Sequence, residues 1–346
     1  MVENVDIEIE KYKAAVRDNP ADAGSRRDLG LAYNLKGQYD DAVKELTEAV
    51  RLAPESPEAH LGLGLAYDAL GRLDEAVAEY REAVRIDPKL ANARLALATS
   101  LVADGLADEA LPEFKELLKQ EPDSVAVYNG MGLALSSAGY LDDAIEMFRE
   151  GLKRQPRNYD AHMFLGGALT DRGNLAEAAK EYKAAISADP KSADAFYYLA
   201  VTLAEIGEER EAIERYQQAI EYDPNFIDAH FNMAMLLDHQ GLVEQAMSEY
   251  GKVIALDPQF SDAHNRIGVD YCRTGRADEA VAEFTKAFTL DPYYAQAHYN
   301  LGMLFFGKER YDEAGAEFEK AIEIDPDYLE AQNSLAIVKD KKTQKG

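Results

Sequence analysis

Ten of the twelve prolines in this chain, Pro20, Pro54, Pro88, Pro122, Pro156, Pro190, Pro224, Pro258, Pro292 and Pro326, stand 34 residues apart without one insertion or deletion. A period of that length marks a stack of equal units rather than one irregular globular core. Six of these prolines follow an aspartate, as in Asp189-Pro190 and Asp325-Pro326, a pairing that stops a helix and opens a turn. Between the prolines a second series recurs: Gly37, Gly71, Gly105, Gly139, Gly173, Gly207, Gly241 and Gly275. Glycine suits the left-handed residue just past a helix end. Each unit therefore reads as two helices, A over roughly its first fourteen places and B over about the eighteenth to the thirty-first. Counted from Ala23, nine units run to Tyr328. The ninth has Glu309 in place of the turn glycine, so its turn is expected to be built differently, with Gly307 taking the strain.

Side-chain size repeats with the same period. The eighth place is always small (Gly30, Gly64, Ala98, Gly132, Gly166, Ala200, Ala234, Gly268, Gly302), and the twentieth is always alanine, from Ala42 to Ala314. The twenty-fourth is large: Leu46, then Tyr80, Phe114, Phe148, Tyr182, Tyr216, Tyr250, Phe284 and Phe318. Large against small at a fixed interval is how packed layers interdigitate without voids.

Tyr299-Asn300-Leu301-Gly302, Tyr311-Asp312-Glu313-Ala314 and Asp325-Pro326 resemble the tetratricopeptide repeat, and the likeness extends over nearly the whole chain. The resemblance implies an all-α fold, a right-handed α-solenoid of antiparallel helix pairs with helix A on the concave side. Within it, residues 1–22 are expected to form an N-terminal half-repeat, 23–328 the nine units, and 329–346 a solvated capping helix with a basic tail, as open-ended arrays require.

A formal net charge of -27 opposes the phosphate backbone, so nucleic acid is excluded as a partner. No apolar run approaches the length of a membrane span and no secretory signal is seen, which points to the cytoplasm. The single cysteine, Cys272, builds neither an internal disulfide nor a thiolate metal site. Fifteen of the 64 acids occupy the first two places of helix B, where carboxylates complement the helix dipole, so much of the acidity has a structural cause. The basic cluster Arg149, Lys153, Arg154 and Arg157 falls at a helix C-terminus and reads the same way.

Function is expected on the face of helix A that packing leaves free. At 3.6 residues per turn, places 2, 5, 9 and 12 form one stripe, opposite places 4, 7, 8 and 11. An inert solvent face would be charged; this one carries Leu61, Met163, Tyr197, Phe231 and Tyr299 in the fifth place and Leu65, Val201, Met235 and Met303 in the ninth. Exposed apolar residues in series mark interaction surfaces, with packing between neighbouring A helices as the other reading. Asn232 and Asn300, in the sixth place, resemble two rungs of the asparagine ladder by which some superhelical arrays of this family grip a peptide backbone. The unit Ser261–Tyr294 breaks the pattern with Asp270 in its tenth place, flanked by Arg266 and Arg273 at helical spacing. That charged set is either a local ion pair or an anchor for a partner. The groove bases do not converge within three adjacent units as a carboxylate clamp of the co-chaperone type would require.

Five of the six histidines, His60, His162, His230, His264 and His298, fall in the fourth place, on the packing stripe, and read as core residues rather than metal ligands. His239 beside Asp238 stands apart. Gly62-Leu63-Gly64 and Gly130-Met131-Gly132 imitate part of a dinucleotide fingerprint but lie inside helix A. No nucleophile and base pair emerges, so neither catalysis nor a cofactor is expected. The reading is a scaffold holding a peptide or amphipathic helix of another protein in its concave groove. The alternative is a self-assembling scaffold, a homo-oligomer, which light scattering over a concentration series would separate.

Overall fold

The computed structural model describes residues 2–345, and every regular element among them is an α-helix. The chain divides into two compact units, one ending at Asp189 and one opening at Pro190. The first holds α1 (Val2–Asp18), α2 (Ala23–Lys36), α3 (Tyr39–Leu52), α4 (Pro57–Ala69), α5 (Leu73–Ile86), α6 (Ala91–Ala103), α7 (Ala107–Gln120), α8 (Val125–Ser137), α9 (Leu141–Arg154), α10 (Tyr159–Asp171) and α11 (Leu175–Ala188). The second holds α12 (Ala193–Ile206), α13 (Glu209–Tyr222), α14 (Ile227–His239), α15 (Val243–Leu256), α16 (Ser261–Arg273), α17 (Ala277–Leu290), α18 (Ala295–Gly307), α19 (Tyr311–Ile324) and α20 (Leu329–Lys345). Even-numbered helices from α2 to α18 are A helices, and the odd-numbered helix after each is its B partner. This is an α-solenoid, and within each compact unit every helix packs chiefly on its neighbours in sequence.

The punctuation has local causes. In the unit-ending turns, Asp87 Oδ1 accepts from Lys89 N–H at 2.9 Å and Asp223 Oδ1 accepts from Asn225 N–H at 3.0 Å, a side-chain turn that straddles the proline. The aspartate itself is extended (φ -126, ψ 94 at Asp87), the conformation a following proline demands. Ser56, Asn158 and Ser192 then cap helix A by accepting from the backbone N–H three residues on. Between A and B, the eight turn glycines all have positive φ, from 73° to 93°. The ninth turn departs from expectation: Gly307 stays inside α18, and Glu309 itself takes the left-handed conformation at φ 57. Its backbone bonds, Glu309 N–H to Phe306 O at 3.0 Å and Arg310 N–H to Phe305 O at 2.9 Å, match those of the glycine turns, so the turn geometry is imposed on a residue with a Cβ.

The core lies between A and B of each pair. Tyr80, Phe114, Phe284 and Phe318 are wholly buried; Tyr80, Phe284 and Phe318 each lie over the eighth-place glycine of their own unit, and Phe114 lies against Gly130 of the next. A Cβ added to Gly64 would meet Tyr80 Cε1 at 2.5 Å, and one added to Gly268 would meet Phe284 at 2.7 Å. The eighth-place glycines are therefore packing positions. In α20, Val338 and Ala331 are buried while Leu329 and Ile337 remain exposed.

Gly268→Leu should accordingly destabilise the protein by about 1–3 kcal/mol through overpacking. Gly251→Ala, in the open on the outer face of α15, should instead stabilise it by up to about 1 kcal/mol. Urea unfolding midpoints check both.

Candidate functional site

Of the fourteen residues expected to line a groove, Leu61, Leu65 and Met163 lie in the first compact unit, the first two on α4 and the third on α10; the other eleven lie in the second, on α12, α14, α16 and α18. Within the second unit the fifth-place rings are half-buried, and each is packed between two other aromatics. Tyr197 has its ring centroid 5.9 Å from Tyr216 of its B helix and 4.7 Å from Phe226 at the end of its repeat. Phe231 lies 5.6 Å from Tyr250 and 4.9 Å from Phe260, and Tyr299 lies 5.7 Å from Phe318 and 5.1 Å from Tyr328. These rings are as much joint as surface. The signal was present in the last place of each repeat: Phe226, Phe260 and Tyr328 accompany a fifth-place ring, and where that place is Asn265 its amide donates to Tyr294 Oη at 3.2 Å.

The ninth place is the more open one. Leu65 and Met303 are 44% and 42% exposed, while Leu61, Met163, Val201 and Met235 are half-buried. The asparagines bond along the array: Asn232 Nδ2 donates to Tyr197 Oη at 3.1 Å, and Asn300 Nδ2 donates to Asn265 Oδ1 at 2.9 Å. In both cases the sixth place of one repeat is tied to the fifth place of the repeat before it, so one amide proton of each is spent on packing.

Asp270 is fully buried. Its helical partner is Arg273, whose Nη1 lies 3.4 Å from Asp270 Oδ1 and also pairs with Asp238 on α14. Arg266, the other base that spacing allowed, stays exposed and makes no ion pair with Asp270. One guanidinium thus faces two carboxylates, and both Asp270 Oδ2 and the buried Tyr250 hydroxyl lack a hydrogen-bond partner. Burial, reinforced by the negative charge of Asp238, pushes the Asp270 carboxyl up to about 7 against the pull of Arg273 and Arg266. In the repeat that opens at Ala91 the tenth place holds Ser100, whose hydroxyl points at Asp68, the counterpart of Asp238, at 3.5 Å. A hydroxyl always has a proton to offer an aspartate; a carboxyl has one only when protonated.

The surface also contains a recess. A cavity of about 470 Å³ opens between α16, α17 and α18, lined mainly by apolar groups that include Val269, Cys272, Phe284, Met303 and Leu304, with Asn300 and Lys308 as its polar members. Burial raises the Cys272 thiol and Lys308 opposes the rise. His239 is exposed and its Nδ1 lies 2.7 Å from Glu209. Among the described residues no group of three or more His, Cys, Asp or Glu side chains could hold a metal ion, and no helix is long and apolar enough to cross a membrane.

Tetratricopeptide repeat models match residues 9–46, 36–91, 129–193 and 265–328, with further repeat models at 69–134, 181–214, 202–241 and 227–260. The chain belongs to the tetratricopeptide repeat family. Among solved structures it is similar to MamA, at 31% identity over 48% of this chain and 97% of MamA, with a TM-score of 0.46. A chain of the APC/C hetero-tetramer Cut9-Hcn1 shares the fold (14% identity, 97% of this chain and 73% of that one, TM-score 0.51). A tetratricopeptide repeat protein from Parabacteroides merdae shares it as well (17% identity, 72% and 98%, TM-score 0.51). No curated protein sequence matches the chain significantly. The family is one of protein-interaction scaffolds, and this chain is a protein-interaction scaffold in that general sense.

Replacing Asp270 tests its protonation. Its folded value of about 7 lies above the ordinary 3.8, so the stability it contributes is present in acid and is lost as pH rises through that window, by up to about 1.4 kcal/mol per pH unit. Asp270→Asn should melt higher than the parent at pH 8 and show no such gain at pH 4, as read by thermal unfolding at both values.

Proposed function

We propose that the chain binds a peptide or an amphipathic helix of a partner protein along the A-helix face of its second compact unit. The observation that carries this reading is the apolar cavity beside Met303. It is of a size to take one large apolar side chain, and it adjoins the open ninth-place residues rather than the packed fifth-place rings. Asn300 lines it with an amide group, and Lys308 adds a cation in a strongly acidic protein, which favours an anchor side chain with an acidic neighbour. Arg266, exposed on α16, adds a second positive charge on the same face.

Substitutions at Tyr197, Phe231 or Tyr299 would confound binding with stability, because those rings pack between others. Met303 is the cleaner probe. Peptides selected from a displayed random 15-residue library on the unaltered protein should bind Met303→Glu at least tenfold more weakly by fluorescence polarisation, with an unchanged melting temperature. Leu65→Glu, in the first compact unit, should leave their affinity unchanged. Equal affinity for the parent and Met303→Glu would remove the cavity from the binding site.

A further inference from the structure

The fourth place of helix A forms a slot with two acceptors. One is the carboxylate in the twenty-third place, on helix B of the same repeat; the other is the carbonyl of the proline six residues upstream. Arg26 fills its slot by donating from Nη1 to Glu45 at 2.7 Å and from Nε to Pro20 O at 2.7 Å. Arg94 does the same with Glu113 and with Pro88 O, the latter at 3.0 Å. Where the fourth place is Tyr128 or Phe196 and offers no cation, the twenty-third is Met147 or Arg215 instead of glutamate. Side chain and carboxylate thus change together along the chain: the carboxylate stands only opposite a fourth-place side chain that can donate from nitrogen.

Three histidines occupy such slots with both ring nitrogens engaged. His60 has Nδ1 2.5 Å from Glu79 Oε2 and Nε2 3.0 Å from Pro54 O. His162 has Nδ1 2.7 Å from Glu181 and Nε2 3.1 Å from Pro156 O; His230 has 2.7 Å to Glu249 and 3.1 Å to Pro224 O. All three rings are buried. A backbone carbonyl can only accept and an ionised carboxylate can only accept, whereas a neutral imidazole has a single N–H. Both contacts are hydrogen bonds only when the ring carries two protons. His264 and His298 form a contrast, each meeting one acceptor, Glu283 at 2.6 Å and Glu317 at 2.7 Å, which a neutral ring donating from Nδ1 satisfies.

We propose that the slots of His60, His162 and His230 are proton-binding sites: each holds its histidine as imidazolium, clamping the turn that enters the repeat to helix B through helix A. Proton loss leaves one acceptor of each slot without a donor and loosens that clamp. The groups facing the rings are Glu79, Glu181 and Glu249, the last shared with Lys252 at 2.7 Å; no other ion pair reaches them among the described residues. For His162, the hydrogen bond to Glu181 raises the ring above its ordinary value against the effect of burial, with Pro156 O adding to the rise. That sign means stability present in mild acid and lost as pH climbs through the raised value.

The test replaces all three rings by the residue that Arg26 and Arg94 show to fit. His60→Arg, His162→Arg and His230→Arg combined should give a protein whose melting temperature, relative to the unaltered chain, rises by roughly 3 °C or more between pH 5.5 and 8.5. Asp270 is common to both chains and cancels in the difference. A difference that is constant with pH overturns the proposal. If the triple variant does not fold, nitrogen NMR of the unaltered chain with labelled histidine decides the matter at pH 7. Protonation of both nitrogens in these three rings supports the clamp; a neutral tautomer in all three overturns it, with exposed His239 as the internal reference.

Discussion

Everything in this protein depends on how closely helix A approaches helix B. The approach is set by a ring or leucine in the twenty-fourth place lying on a residue with little or no side chain in the eighth, as Tyr80 lies on Gly64 and Phe318 on Gly302. Tight packing of this kind is unforgiving of added volume. Because it is repeated at one interval, it fixes the face each A helix turns inward, and the opposite face is then free for other work.

Much of this was legible in the residues. The fold followed from the proline and glycine series and from size alternation, since backbone constraints at Asp-Pro and at a left-handed glycine act locally and need no knowledge of distant contacts. The turn at Glu309 departs from the local preference for glycine because the order of the neighbouring helices is stronger. The flanking pairs hold the turn geometry, so the residue occupying the glycine position adopts it, and Gly307 has no need to. The groove was only half legible. Helical periodicity located the stripe, yet it could not show that the fifth-place rings are enclosed by Phe226, Phe260 and Tyr328 from the repeat's far end, a contact spanning nearly a full period.

The charged residues show the same division. Spacing along α16 allowed Asp270 to pair with either Arg266 or Arg273, and only the packing of α16 against α14 reveals that Arg273 is shared with Asp238. Each fourth-place histidine turns to the glutamate on the B helix of its own repeat, a partner that lies 19 residues on in the sequence. What a one-dimensional reading could not supply was the proline carbonyl on the far side of the His60, His162 and His230 rings, and with it the proposed demand for a second proton.

The enclosed fifth-place rings carry one more consequence. Tyr197 touches Phe226, and Asn232 of the following repeat donates to the Tyr197 hydroxyl, so the boundary between those repeats is cemented by residues on the very face proposed to receive a ligand. A guest resting there would press on the seams of its host. Affinity and bending stiffness would then be two readings of one coupling free energy, passed from each repeat to its immediate neighbour, and a mechanical pull on the array would be felt as a change in grip.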